Sequence, residues 1–475
     1  MPQTVPQYSP ALGIRLEGNQ ASYAPGDTII GHVYRKNHAV SPSASIQIKL
    51  GGRTKTKLIV SSGGNKRTTY RGRFNLIPEK IHWKQIFEGP LHIEQGGDEQ
   101  VWPFAITLPK YVDPRYLQNG EQHESYLPLD ATDCVLPSTY SYPTAGTTEA
   151  FVEYYLTATL RMRGNGASNG ASAVLPITVK NLENGPPIAD FAVKRAKSSQ
   201  TIYTYRLVPT MKEVKLSFSQ KFKQVLQTTS VPTFAFNMFV GLPTIIQLDN
   251  PNPIPFKLHI VPDLKASSEA LRDVKHQVRL TYVSIRIFTL TEVICEGSFS
   301  PHTKDKTNEY DLCVMSALSQ GIKDGIYIPC TDGESAVDIG EMINLRLGHF
   351  QRGFPQLPGD RRLSFDPTFT TYNIRKSHRL KWEVKGIVAE EGFKEYGAVP
   401  ITLLAPSDEH GIGGLDQNPS NPVPMVESAG ESVAGPSQIQ RNESWIQPPA
   451  EDEAPPSFNQ AVKEDTPRPA EKAAA

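Results

Sequence analysis

Three short clusters in this 475-residue chain have residue types and spacing suited to recognising a partner. The first, Arg53-Thr54-Lys55-Thr56-Lys57, alternates cation and hydroxyl. Successive side chains of a strand point to opposite faces, so a strand here places Arg53, Lys55 and Lys57 on one face, suited to a phosphorylated peptide or to anionic lipid headgroups. The same alternation fits an edge strand whose solvated cations deter aggregation. Lys66, Arg67, Arg71 and Arg73 add charge around the Gly-rich turn that follows. The second cluster is Pro455-Pro456-Ser457-Phe458. Its prolines pre-set a polyproline II segment at low entropic cost, and the Phe458 ring two residues on can enter an apolar groove, as WW-type domains require of P-P-x-Y ligands. The third is Arg361-Arg362-Leu363-Ser364, a basic pair ahead of a serine as basophilic kinases prefer. Phosphate on Ser364 would add about two negative charges beside two arginines able to fold back onto it.

Catalytic chemistry has no comparable cue. The chain lacks G-x-x-x-x-G-K-[ST] and H-E-x-x-H, and Gly164-Asn165-Gly166 joins two strand-like stretches without opening a helix, which makes it a hairpin loop. Cys134, Cys295, Cys313 and Cys330 form no C-x-x-C pair, and the 11 histidines show no metal spacing. The expectation is a non-enzyme with no cofactor, no metal site and reduced thiols. Nucleic acid is not an expected partner, because no base-stacking motif accompanies the cations.

These clusters need elements to position them, and composition says which. Proline, 40 residues or about 8% of the chain, exceeds the usual ~5% and argues against a mainly helical protein. Clean two-residue alternation recurs at Ile46–Leu50, Phe151–Leu160 and Val278–Ile287, whereas amphipathic helices are scarce. Turn signals punctuate these runs at Ala24-Pro25-Gly26-Asp27, Gly51-Gly52, Gly96-Gly97-Asp98, Asn184-Gly185-Pro186-Pro187 and Asp249-Asn250-Pro251. Many short strands spaced this way predict antiparallel β-sandwiches. An internal echo sets their number: Phe151–Met162, a loop and Pro176-Ile177-Thr178 match Leu380–Val388, a loop and Pro400-Ile401-Thr402. A proline opening each closing strand suits an edge position.

The predicted organisation is a flexible start over 1–10, a sandwich over 11–185, a linker over 186–199, a second sandwich over 200–406 and a disordered tail over 407–475. The neutral total, 49 basic against 49 acidic residues, splits along that last boundary. The tail holds 12 Asp plus Glu and 4 Lys plus Arg, and ten of the prolines, so a mildly basic body carries an acidic tail. Met1 to Pro10 shows no basic and then apolar leader, and the apolar stretch Phe234–Leu248 is broken by Asn237, Pro243, Thr244 and Gln247. Buried strand core is expected there, in a soluble intracellular protein.

Tyr23–Val33, Ile46–Gly52, Trp102–Pro109 and Val152–Leu160 resemble, in order and spacing, successive strands of an arrestin N-terminal domain. Tyr372-Asn373-Ile374 with Ser377–Trp382 is similar to the closing part of the C-terminal domain in fungal α-arrestins. The resemblance implies an all-β protein of two curved, immunoglobulin-like antiparallel β-sandwich domains joined by a short hinge. It also implies a non-enzymatic adaptor that binds cytoplasmic tails of membrane transporters or receptors and brings a WW-bearing HECT-type ubiquitin ligase through P-P-x-Y, directing cargo to endocytosis. Such an adaptor is cytoplasmic and peripherally recruited to plasma membrane or endosomes. Pro455-Pro456-Ser457-Phe458 departs from that pattern, keeping the ring and losing the tyrosine hydroxyl, which predicts weaker binding. The alternative is a ligase-independent scaffold in trafficking or signalling, closer to retromer-type arrestin folds.

Overall fold

The alternation at Ile46, Ile48 and Leu50 becomes a strand, and a far longer one than its cue. In the computed structural model, which describes residues 3–18, 20–61, 67–117, 124–143, 147–163, 170–297, 300–321, 325–333, 336–348 and 365–411, that strand runs 23 residues. The first half of the chain contributes β1 (Gly13–Leu16), β2 (Thr28–Arg35), β3 (Ala39–Ser61), β4 (Arg67–Ile77), β5 (Trp83–Ile93) and β6 (Gln100–Thr107). It continues with β7 (Tyr140–Pro143), β8 (Thr148–Arg163) and β9 (Ala171–Ile177). Then follow β10 (Lys194–Tyr203), the helix α1 (Phe218–Val225), β11 (Thr233–Leu242), β12 (Ile245–Gln247), β13 (Lys257–Pro262) and β14 (Gln277–Cys295). The rest are β15 (His302–Asp311), β16 (Ile326–Pro329), β17 (Val337–Asp338), β18 (Phe369–Thr370), β19 (Ile374–Val388) and β20 (Glu391–Leu404), with short helices between and after them.

The protein is all-β in character, built as β-sandwiches. One sheet runs β1-β2-β6 and faces a second ordered β4-β3-β8-β7, with β5 also on β3 and β9 on β8. A third runs β10-β11-β13-β17, and a fourth β12-β20-β19-β14-β15 carries β16 and β18 at its margins. Among the described residues these strands pair antiparallel except for β12 beside β20. Two apolar cores result. The first gathers Ile46, Ile48, Leu50, Leu156 and Leu160 with Trp102 and Phe104, and the second Val283, Ile285, Ile287 and Val384 with Phe236 and Leu258. Burial of such side chains is worth about 1.5 to 3 kcal/mol each against exposure.

The internal echo extends further than the closing strands. Each long strand, β3 and β14, holds two successive partners along one edge, β5 then β4 for β3 and β16 then β15 for β14. Along the other edge lie β8 and β19, which in turn pair β9 and β20. The prolines of the echo sit late in their strands and do not open them: Pro176 faces Tyr155 and Pro400 faces Arg379.

Several local expectations change. Gly51 and Gly52 lie mid-strand in β3 and make no turn. A Cβ at either position would fall 2.7 Å from the ring of Tyr155 or Tyr154, so the missing side chains let those rings cross the strand. The Ala24–Asp27 turn forms as read, with Gly26 at φ 100° and the Asp27 amide donating to Ala24 O. Phe234–Leu248 forms β11 and β12 within the second core, and no helix among the described residues is long and apolar enough to cross a membrane. From Lys194 onward the segment read as linker is β10, paired with β11 over its full length. What precedes it is pinned: the Ile188 amide donates to Gln247, Asn250 donates to the Ile188 carbonyl, and the Gly185 amide donates to Asp408. The helix α1 was not foreseen, although Ser217 and Gln220 form a capping box at its start.

Candidate functional site

Arg53, Lys55 and Lys57 do share a face of β3, but that strand is central, held between β4 and β8. Its register with β8 sets Arg53 opposite Glu153 and Lys57 opposite Glu149. Directly opposed side chains of an antiparallel pair lie on one face, so the carboxylates reach the cations. Arg53 Nε donates to Glu153 Oε1 over 2.7 Å, and Lys57 Nζ to Glu149 Oε1 over 2.9 Å. Lys55 reaches the same Glu153 oxygen from the diagonal position. The Thr4 amide closes the cluster, donating to Glu153 Oε2 at 2.7 Å, while Arg53 Nη2 donates to the Thr4 hydroxyl at 3.0 Å.

Aromatic rings line the strip. The Arg53 guanidinium lies 4.9 Å from the Tyr155 ring centroid, and the Tyr155 hydroxyl donates to Glu79 at 2.8 Å. Lys55 is 4% exposed and Glu153 3%, so this is a buried ion pair and not a solvated edge. Burial works against both charges. For Glu153, hydrogen bonds from Lys55, the Thr4 amide and Arg53 outweigh it and hold the carboxyl below its ordinary range. For Lys55, burial dominates; Glu153 pulls the ammonium back up, while Arg53 and Arg73 push it further down. Two cations, Arg53 and Lys55, share one carboxylate, which gains at the expense of the lysine.

The register between β3 and β4 sets Arg73 beside Lys55 and Arg71 beside Lys57. Arg71 and Arg73 are exposed and make no ion pair among the described residues; Arg73 Nε donates to Asn75 at 3.1 Å. This face therefore carries five cations against Glu149 and Glu153. Its accessible part is the β4 pair, beside the more buried β3 strip in the same sheet. A multiply charged anion laid on it meets guanidinium groups first, which suits carboxylate or phosphate geometry.

The opposite face of β3 is also polar where it leaves the first core. Thr54 Oγ1 donates to Asn373 Oδ1 at 2.6 Å, Thr56 Oγ1 to the Ile294 carbonyl at 2.6 Å, and Asn373 Nδ2 to Thr56 Oγ1 at 3.3 Å. Cys295 Sγ lies 3.3 Å from the Thr56 hydroxyl, and burial pushes that thiol up to about 11, far from reactive thiolate chemistry. Around this seam Val293, Cys295, Tyr372 and Ile374 from the second half of the chain complete the first apolar core. All four cysteines are unpaired, and no group of three or more potential metal ligands occurs among the described residues.

Pro455, Pro456 and Phe458, and likewise Ser364 with Arg361 and Arg362, lie outside the described residues. Just after Ser364, Phe365 is buried against Tyr310, and Asp366 pairs with Lys376. Sequence reasoning missed Glu149, Glu153 and Asn373. The two glutamates sit four apart on one face of an alternating strand, the spacing that complements Arg53 and Lys57; pairing the basic with the acidic strand would have found them. Asn373 carries no local cue. Comparison with protein-family models and with curated proteins returns no match for the chain.

Proposed function

We propose that this chain is a non-enzymatic, arrestin-like adaptor. Its β-sandwich body engages acidic or phosphorylated cytoplasmic tails of membrane transporters or receptors. Pro455-Pro456-Ser457-Phe458 offers the complex to a WW domain of a HECT-type ubiquitin ligase, and endocytosis of the cargo follows. The observation that carries the cargo half is the β3–β4 face, where Arg71 and Arg73 stand exposed beside an ion-paired strip with cations in excess. The repeated three-strand unit, β3–β8–β9 and β14–β19–β20, supports the two-sandwich arrestin-like reading, as does the order of the strand motifs that resemble that family.

Affinity purification of the full-length chain tests it. Arg71→Glu with Arg73→Glu should lose membrane cargo and keep the ligase; Phe458→Ala should lose the ligase and keep cargo. Recovery of the same membrane proteins by the double arginine variant would overturn the cargo assignment. The absent tyrosine hydroxyl at Phe458 favours a second reading, a ligase-independent scaffold for trafficking or signalling proteins. In that case the wild-type chain retains cargo and recovers no ligase.

A further inference from the structure

The helix α1 is oriented against the usual rule for a surface helix. Gln224 faces the protein: its Nε2 donates to Glu391 at 2.6 Å and Thr204 donates to its Oε1 at 3.2 Å, while Gln220 closes the capping box with Ser217 at the helix start. Its apolar side chains face outward. Phe218 is 87% exposed, Val225 80%, Phe222 57% and Leu226 57%, and none of the helix is buried. At 3.6 residues per turn these four form one stripe, with Lys221 on one flank and Lys223 on the other. From Lys212 to Leu226 the segment holds four lysines and one acidic residue, Glu213.

We propose that α1 is a membrane-surface contact that lays its Phe218–Phe222–Val225–Leu226 stripe into the interface of an anionic bilayer, with Lys221 and Lys223 on lipid headgroups. Eight residues make a helix of about 12 Å, far too short to span a bilayer and suited to lying in its plane. The charge pattern selects lipid over a protein groove. Cations flank the stripe on both sides, an arrangement satisfied by a broad negative surface, and lysine is suited to diffuse headgroup charge. The Gln224 tethers to Glu391 and Thr204 hold the stripe outward before any lipid arrives, so ordering costs little on binding. The inference does not rest on the adaptor reading, since it concerns this helix and lipid alone.

Co-sedimentation of the full-length chain with phosphatidylcholine vesicles, with and without phosphatidylserine, tests it. The wild-type chain should bind the phosphatidylserine vesicles, more weakly as salt rises, and bind phosphatidylcholine alone poorly. Phe218→Ser with Phe222→Ser should cut the partition constant about tenfold or more, and Lys221→Glu with Lys223→Glu should lower it on anionic vesicles only. Phe222→Trp, which keeps the stripe apolar, should show an emission blue shift on anionic vesicles that the wild-type chain lacks. No wild-type binding to anionic vesicles, binding unchanged by the double phenylalanine variant, or binding only when the vesicles carry a membrane protein would each overturn the assignment. The last outcome points to a protein groove.

Discussion

The Thr54 hydroxyl donates to the Asn373 carboxamide oxygen over 2.6 Å, joining two fully buried residues 319 positions apart. On one face of β3, Thr54 and Thr56 thus tie the first half of the chain to the second. On the other, Arg53, Lys55 and Lys57 hold a charged strip. A single five-residue alternation serves both, because strand geometry sends neighbours to opposite sides.

Asn373→Ala should destabilise the protein by about 1 to 3 kcal/mol, because it strips hydrogen bonds from two buried threonines without removing their hydroxyls. Denaturant unfolding measures it. Thr54→Val with Thr56→Val and Asn373→Leu, which removes the polar groups together, should cost less than the single change; a triple variant weaker than Asn373→Ala would speak against the seam as the cause.

Gly72 lies opposite Thr56 on β4, and a Cβ there would come within 2.5 Å of the Thr56 hydroxyl and 2.9 Å of the Ile294 carbonyl. Gly72→Ala should therefore lower stability by about 1 to 3 kcal/mol through overpacking. Gly97→Ala, whose Cβ meets nothing nearer than 3.4 Å, serves as the control and should stay within about 0.5 kcal/mol.

Glu153→Gln removes the carboxylate that Arg53 and Lys55 share and should cost about 3 kcal/mol at neutral pH. Since the folded carboxyl is held below its unfolded value, its contribution is present above about pH 4.3 and is lost as pH falls through the folded value. The variant should show a flatter loss of stability below that pH. An unchanged acid limb would assign the loss to other groups.

His378 is 3% exposed, Nδ1 lies 3.0 Å from the Thr368 hydroxyl, and Nε2 has no hydrogen-bond partner among the described residues. Burial, with Lys376 nearby, pulls its pKa to about 3. The unfolded chain takes up a proton near pH 6.5 that the folded one refuses, so this group removes stability at about 1.4 kcal/mol per pH unit as pH falls from 6.5 towards 3. His378→Leu should flatten that slope, read as melting temperature against pH.

Much of the framework was legible because it is local. The alternation at Phe151–Leu160 and Val278–Ile287 names β8 and β14, and the Ala24–Asp27 turn follows from a glycine at positive φ. Gly51-Gly52 misled because a glycine pair signals a turn by its own conformational freedom, whereas here it makes room for rings about 100 positions away. The cationic face was legible as an alternation, but its ion pairing was not, since Glu149 and Glu153 meet it only through strand register. The cap of α1 was visible in Ser217 and Gln220; its outward apolar stripe depends on tethers to Glu391 and Thr204 that no local pattern contains.

The adaptor account is tested most directly by titrating the full-length chain with an isolated WW domain of a HECT-type ligase, comparing wild type with Phe458→Ala and Phe458→Tyr. The account predicts measurable wild-type binding, loss in Phe458→Ala, and binding about tenfold tighter in Phe458→Tyr as one buried hydroxyl regains its hydrogen bond. Equal affinity of wild type and Phe458→Ala, or none for either, would contradict it.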